Sequence, residues 1–305
     1  MLDPFPTPCG LAMTEPATLG KAVVAAWDAF LNVVDGADLS RPSRLDGHSG
    51  RDVCVHLGTW EDHHVMSGLV AAARAGGGPE HPTGQDDSAR LLRTHAKATQ
   101  DQVREALQRS RDGVATWFTD LAEAEELGHH AVRSSVGVLP LLSVVNAGSY
   151  ELAVHALDLA PCGAPEPDPL LLQRGLAALM DVTGRLAAHS AIHQTVTAQT
   201  AEGGWAFTSD GAGWVVREQA PGAFEGVGVT GTAADLLDAS AGRAHVPVLL
   251  VQRRLKVQDL PGFMTLAPIV NDVPGLPGGA ALRAGVNGVA AVTGGVSKVL
   301  GRFRR

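Results

Sequence analysis

Cysteine is scarce in this chain, with three in 305 residues (Cys9, Cys54 and Cys162) and no two close together. A disulfide framework is therefore not expected, and the count fits a reducing, cytoplasmic setting. Basic charge is also short: 24 Lys+Arg stand against 32 Asp+Glu, a formal net charge of −8. Phosphate binding needs a basic footprint, so nucleic acid is not an expected partner. No uncharged apolar run approaches the ~18 residues that span a bilayer, and no membrane partner is expected. The opening Met1-Leu2-Asp3-Pro4-Phe5-Pro6 lacks the basic and apolar regions of a secretory signal. Only 18% of residues are charged, whereas 45% are apolar and 36 are glycine. That composition supports a large core, room for two domains, and helices packed through small side chains.

Residues 1–14 hold most of the early prolines and read as a flexible extension. Helical spacing of Leu19, Val23, Trp27, Phe30, Leu31 and Val34 predicts a helix over 16–35. A second helix is expected from Ser49, with Asp52 three residues on as a capping-box partner, to about residue 75, before Gly76-Gly77-Gly78-Pro79. Residues 87–127 are helical in composition, with a kink or break expected near 110–113. A fourth helix starts near Pro140 and ends before Pro161. Together these predict a four-helix bundle over 15–160. A Pro-rich linker (161–169) and a helix over 168–190 follow. Short runs with Gly turns at 204–210, 213–218 and 226–230, a helix over 232–240 and a β-like run at 246–251 then make a small α+β domain over 170–260. Residues 261–305, Gly/Ala/Val-rich with a basic end, read as a C-terminal extension. The glycines and lysine of 293–298 lack P-loop spacing.

The fourth helix carries Glu151-Leu152-Ala153-Val154-His155. Residues four apart share a helix face about 6 Å apart along the axis, so both side chains can reach one ion. Val144 and Gly148 share that stripe, and Gly148 leaves space one turn below Glu151. On the second helix, His56 falls on the stripe of Val53, Leu57 and Trp60. A buried histidine is costly unless its nitrogens find partners. A divalent cation held by His56, Glu151 and His155 satisfies all three; the competing readings are a surface Glu–His pair and a core histidine bonded to a backbone carbonyl. His63 lies about 10.5 Å further along such a helix, too far to share the ion, and His63 and His64 are assigned to solvent or an outer cavity. Cys54, about 160° around from His56, reads as a packed thiol. Asp158 is a candidate acceptor for a ligand imidazole.

With these segments in view, Leu39-Ser40-Arg41-Pro42, Asp52-Val53-Cys54-Val55-His56-Leu57-Gly58 and Glu151-Leu152-Ala153-Val154-His155-Ala156-Leu157-Asp158-Leu159 resemble the mycothiol-dependent maleylpyruvate isomerase family. The resemblance covers residues 15–260. It implies a DinB-like four-helix metal-binding domain followed by a small C-terminal domain related to sterol carrier proteins. The family's zinc ligands fall on His56, Glu151 and His155. Val229-Thr230-Gly231-Thr232-Ala233-Ala234-Asp235-Leu236-Leu237, closing on Ala241-Gly242-Arg243, is similar to the family's C-terminal helix and its substrate- or cofactor-binding arginine. The competing role for Arg243 is capping the carbonyl end of helix 232–240. The chain departs from the family at Gly47-His48, where a Gly-Trp pair is usual. His48 is therefore a candidate catalytic group, or an exposed loop histidine.

Three protein ligands leave a fourth zinc position open, and borderline-soft zinc favours a thiolate there. The resemblance implies mycothiol as the visiting thiol and a small electrophile as its target. The expected activity is metal-dependent S-transfer or thiol exchange. Isomerisation of a maleylpyruvate-like diacid, hydrolysis by zinc-activated water, and a non-catalytic carrier of apolar ligands are the alternatives. A monomer or homodimer is expected.

Overall fold

The computed structural model describes residue 5, residues 7–77, 85–134 and 136–266, and residue 269. Nearly all of the 261–305 extension, with 293–298 and the Gly78-Pro79 helix stop, lies outside the described residues. The protein is mainly α-helical, with its larger sheet in the C-terminal half. Seven α-helices precede residue 160 among the described residues: α1 (Pro16–Asp35), α2 (Gly50–Val55), α3 (Val65–Arg74), α4 (Gln85–Thr94), α5 (Gln100–Trp117), α6 (Leu121–Leu127) and α7 (Leu141–Asp158). A hairpin of β1 (Ala131–Ser134) and β2 (Gly137–Pro140), absent from the sequence expectation, delivers the chain to α7.

Helix α1 is long and apolar enough to cross a membrane by composition alone. Its stripe of Leu19, Val23, Phe30 and Val34 is instead core, packed on α5 and α7. Four helices touch in a ring: α1 on α5, α5 on α3, α3 on α7 and α7 on α1.

Two helix boundaries differ from expectation, and hydrogen bonding explains both. The helix from Ser49 stops at Val55 instead of running on to residue 75. Its start is as expected, since Ser49 accepts from Asp52 N–H while the Asp52 carboxylate accepts from Ser49 N–H. Beyond it, α5 captures the backbone: Thr59 N–H donates to Ala106 O at 2.9 Å and Ser110 Oγ donates to Leu57 O at 2.8 Å. Gly58 permits this approach, because a Cβ there would stand 2.8 Å from the Ala106 methyl. The segment 87–127 shows no break at 110–113, which α5 crosses intact. Its breaks fall where polar side chains restart helices, at Thr99, capped reciprocally with Gln102, and at Asp120, which accepts from Glu123 N–H.

The C-terminal half comprises α8 (Pro169–His189), β3 (His193–Gln199), β4 (Gly204–Asp210), β5 (Trp214–Gln219), β6 (Val227–Thr230), α9 (Ala233–Ser240), α10 (Val246–Val251), β7 (Lys256–Gln258) and the single turn α11 (Leu260–Phe263). The sheet order is β5-β4-β3-β6-β7, antiparallel except for the parallel β3–β6 pair. The run 246–251, expected as β, is the helix α10. Its Val-rich composition suggests a strand, but Pro247 at the helix start, where its missing N–H costs nothing, overrides that preference.

One core spans both halves, because α8 packs on α7 with one face and on the sheet with the other. Glycines set both approaches. A Cβ on Gly175 would stand 2.5 Å from the Ala153 methyl of α7, and one on Gly184 would stand 2.6 Å from the Trp214 ring of β5. The 161–169 segment is not a free linker at its start: Cys162 is buried and its carbonyl accepts from Asp38 N–H at 2.9 Å. Nor are residues 7–14 a flexible extension. Cys9, Leu11 and Ala12 are buried, and Leu11 N–H donates at 2.9 Å to the buried Asp181 carboxylate on α8. Apolar residues between the prolines supply the burial, and Asp181 supplies the anchor.

Candidate metal centre

Three sequence-distant side chains meet between α2 and α7. His56 sits at the residue that ends α2, with φ −75° and ψ −15°. Trp60 folds back beneath this end, its Nε1–H donating to Val55 O at 2.9 Å. Glu151 and His155 project from one face of α7, with His155 Nε2 3.3 Å from Glu151 Oε2. The imidazoles of His56 and His155 stand edge to face, 4.8 Å between centroids at 81°. One ligand atom from each of His56, Glu151 and His155 lies within 4.8 Å of the other two.

The far side of His155 is anchored as the sequence suggested. Its Nδ1 bonds Asp158 Oδ2 at 2.9 Å, which leaves Nε2 facing Glu151 and His56. Asp158 is fully buried and holds two arginines as well. Arg44 Nη2 lies 3.2 Å from Oδ1, and Arg243 Nε lies 3.2 Å from the same oxygen. Arg44 also grips Asp238 on α9 at 2.7 Å. Tyr150 OH and Ser240 Oγ, 3.1 Å apart, make a second polar tie between α7 and α9.

Electrostatics sort the two imidazoles. Burial, aided by the charge of His155, pushes His56 down to about 4, so its lone pair is free at neutral pH. Burial also opposes charge on His155, but hydrogen bonds to Asp158 and Glu151 outweigh it and raise the group to about 9. Asp158 is lowered to about 2: burial opposes ionisation, and the His155 and Arg243 bonds overcome it. Glu151 is likewise held below the usual carboxylate range, against desolvation, by its bond to His155.

The donor set fits a divalent cation. Two imidazoles and one carboxylate are the donor types of zinc sites that keep a fourth, vacant position, and with bonds of about 2.0–2.1 Å such donors stand about 3.4 Å apart, so these three atoms, within 4.8 Å of one another, would close by up to about 1.4 Å. The vacant side has room: the Glu151 side chain is 43% exposed, and a Cβ on Gly148 would meet nothing within 4 Å.

Other expected residues fall elsewhere. Arg243 does not cap α9 through its last carbonyls alone. Its Nη1 reaches Ala241 O at 3.3 Å, while Nε and Nη2 go to Asp158. His48 is exposed, and its Nδ1 engages Asp46 O of its own loop at 3.0 Å. His63, expected in solvent or an outer cavity, is buried at 4% exposure, because the 56–64 segment is a loop that turns it inward; His64 is exposed. Cys54 is a packed thiol, raised by burial. Sequence reasoning missed Arg44 and Asp238, for which a loop arginine and a helix-surface aspartate give no local signal.

Residues 21–160 match the family model of the mycothiol maleylpyruvate isomerase N-terminal domain. The matched stretch is 140 residues long, a little under half of the chain. It contains His56, Glu151, His155, Asp158 and Arg44, whereas Arg243 and Asp238 come from outside it. Two solved structures are similar: a mycothiol-dependent maleylpyruvate isomerase, and a mutant of it in which a histidine is replaced by alanine. Each is 19% identical and covers 75% of this chain and 89% of the other, with TM-scores of 0.47 and 0.46. No curated protein matches the chain.

Proposed function

We propose that this chain is a metal-dependent enzyme that uses mycothiol, and that it isomerises a maleylpyruvate-like diacid about its double bond. The observation that carries the reading is the convergence of His56, Glu151 and His155 within 4.8 Å, inside a region matching the isomerase N-terminal domain. The domain match favours isomerisation over the S-transfer expected from the sequence. The ring of α1, α5, α3 and α7 supports a DinB-like four-helix reading of the same region.

His56, Glu151 and His155 would hold the ion, with zinc the expected metal. Bound there, it would lower the pKa of a thiol at its open position, so that sulfur attacks as thiolate at neutral pH. The chain's own residues do the rest. Asp158 fixes the His155 ring through Nδ1. Arg243, a quarter exposed, keeps N–H donors beyond those given to Asp158 and can take a substrate carboxylate. Gly148 and the exposed edge of Glu151 leave the approach open.

In the isomerisation, sulfur adds to one alkene carbon and the π electrons move into the conjugated carbonyl. The resulting single bond rotates, and the enolate electrons expel sulfur to restore the alkene in the trans form. The thiol is regenerated, so mycothiol is required but not consumed. Net S-transfer, the second outcome, would consume one thiol per turnover. Maleylpyruvate and mycothiol incubated with zinc-loaded wild type and His155→Ala separate these. Trans product with constant free thiol in the wild type only supports the isomerase. Stoichiometric thiol loss supports the transferase, and equal rates for both proteins overturn the reading.

A further inference from the structure

Away from the metal centre, a cavity of about 190 Å³ lies between the sheet and helices α8, α9, α10 and α11. Its wall is hydrocarbon: Leu179, Phe207, Val229, Leu250 and Phe263 face it from five different elements, and among the described residues no charged side chain lines it. Three hydroxyls border it, and each already donates to a backbone carbonyl. Thr183 Oγ1 donates to Leu179 O at 2.7 Å, Thr197 Oγ1 to Glu225 O at 2.7 Å, and Ser240 Oγ to Leu237 O at 2.8 Å. A ligand there finds no free donor and no counter-charge, so an ionised or sugar-bearing molecule would be desolvated without compensation. That excludes both the diacid and the thiol of the proposed reaction. Water gains little from such a wall, and apolar cavities of about 150 Å³ stay dry and hold benzene.

We infer that this cavity is a second binding site, for an uncharged apolar molecule the size of a substituted benzene or a short alkyl chain. The volume decides the size class. A four-ring sterol is several times larger than benzene and does not fit. Helix α9 borders both sites. Leu236, Ala239 and Ser240 face the cavity, while Asp238 on the same helix holds Arg44 and through it Asp158.

The test is methyl-resolved NMR of the full chain titrated with toluene, and in parallel with octanoate and with cholesterol. Toluene is expected to give saturable shifts at the Leu179, Val229 and Leu250 methyls, with octanoate and cholesterol giving none. Ala239→Leu and Ala198→Leu each place side-chain volume in the cavity and are expected to weaken toluene at least tenfold; two variants guard against one failing to fold. No saturable toluene shift in the wild type overturns the site. So does unchanged affinity in the folded variants, since toluene would then bind elsewhere. Equal binding of octanoate or cholesterol overturns the assigned chemistry.

Discussion

Asp158 lies 2.9 Å from the Nδ1 of His155 and is wholly buried, with Arg44 and Arg243 on its other side. One carboxylate thus fixes the orientation of an imidazole in the candidate metal site and joins α7 to a loop before α2 and to the segment after α9. Asp158→Asn keeps the volume but turns an amide N–H₂ toward two guanidinium groups or toward the imidazole. Metal affinity is expected to fall about 10–100-fold. Stability is expected to drop by about 1–3 kcal/mol, below the cost of breaking a fully buried pair because both arginines are partly exposed. A chelator-competition titration and urea unfolding of the metal-free protein measure the two effects separately.

Protonation of His155 sets the pH dependence. In the metal-free protein this group is raised from 6.5 to about 9, so its proton must leave before Nε2 can bind an ion. Metal affinity is expected to climb about tenfold per pH unit between 6.5 and 9 and to level off above. Stability of the metal-free protein runs the other way. A raised folded value contributes stability that is complete below 6.5 and is lost as pH rises through about 9, on the order of 3 kcal/mol. Denaturation of the chelator-treated protein at pH 6.5 and 9.5 checks the sign.

Arg44 and Arg243 share Asp158 but differ in what else they can reach. Arg44→Ala and Arg243→Ala are each expected to weaken metal binding by up to about tenfold through a looser Asp158. Only Arg243→Ala is expected to raise KM for a diacid, because Arg44 is already tied to Asp238. His48→Ala is expected to leave kcat and KM within about twofold, as its ring serves its own loop. Steady-state kinetics on zinc-saturated variants separate the three.

Residues 9–12 are structural. Deleting 1–14 removes Cys9, Leu11 and Ala12 from the core and leaves the Asp181 carboxylate, already raised by burial, without the Leu11 N–H. Equilibrium urea unfolding is expected to show a loss of about 2–4 kcal/mol, as for other losses of buried apolar groups with a polar partner.

Local periodicity carried most of what could be read from the sequence. Glu151 and His155 were legible because one helix places residues four apart on one face, and Asp158 because it lies within the next turn. Ser49 with Asp52 marked a helix start for the same local reason. What failed was set by distant groups. The helix at 50–55 ends because residues of α5, 47 and 53 positions away, take up the backbone of Thr59 and Leu57. That ending turned His63 inward, while His56 kept its place beside α7. Arg44 and Asp238 meet across 194 positions, which no spacing rule anticipates.

The central claim is tested most directly by elemental analysis of the purified protein, wild type beside His56→Ala, Glu151→Ala and His155→Ala. The account predicts one zinc per wild-type chain, with loss of metal in each variant while the helical circular dichroism is retained. A wild type that holds no stoichiometric divalent metal after incubation with zinc, or variants that keep it in full, would contradict a shared ion at these three residues.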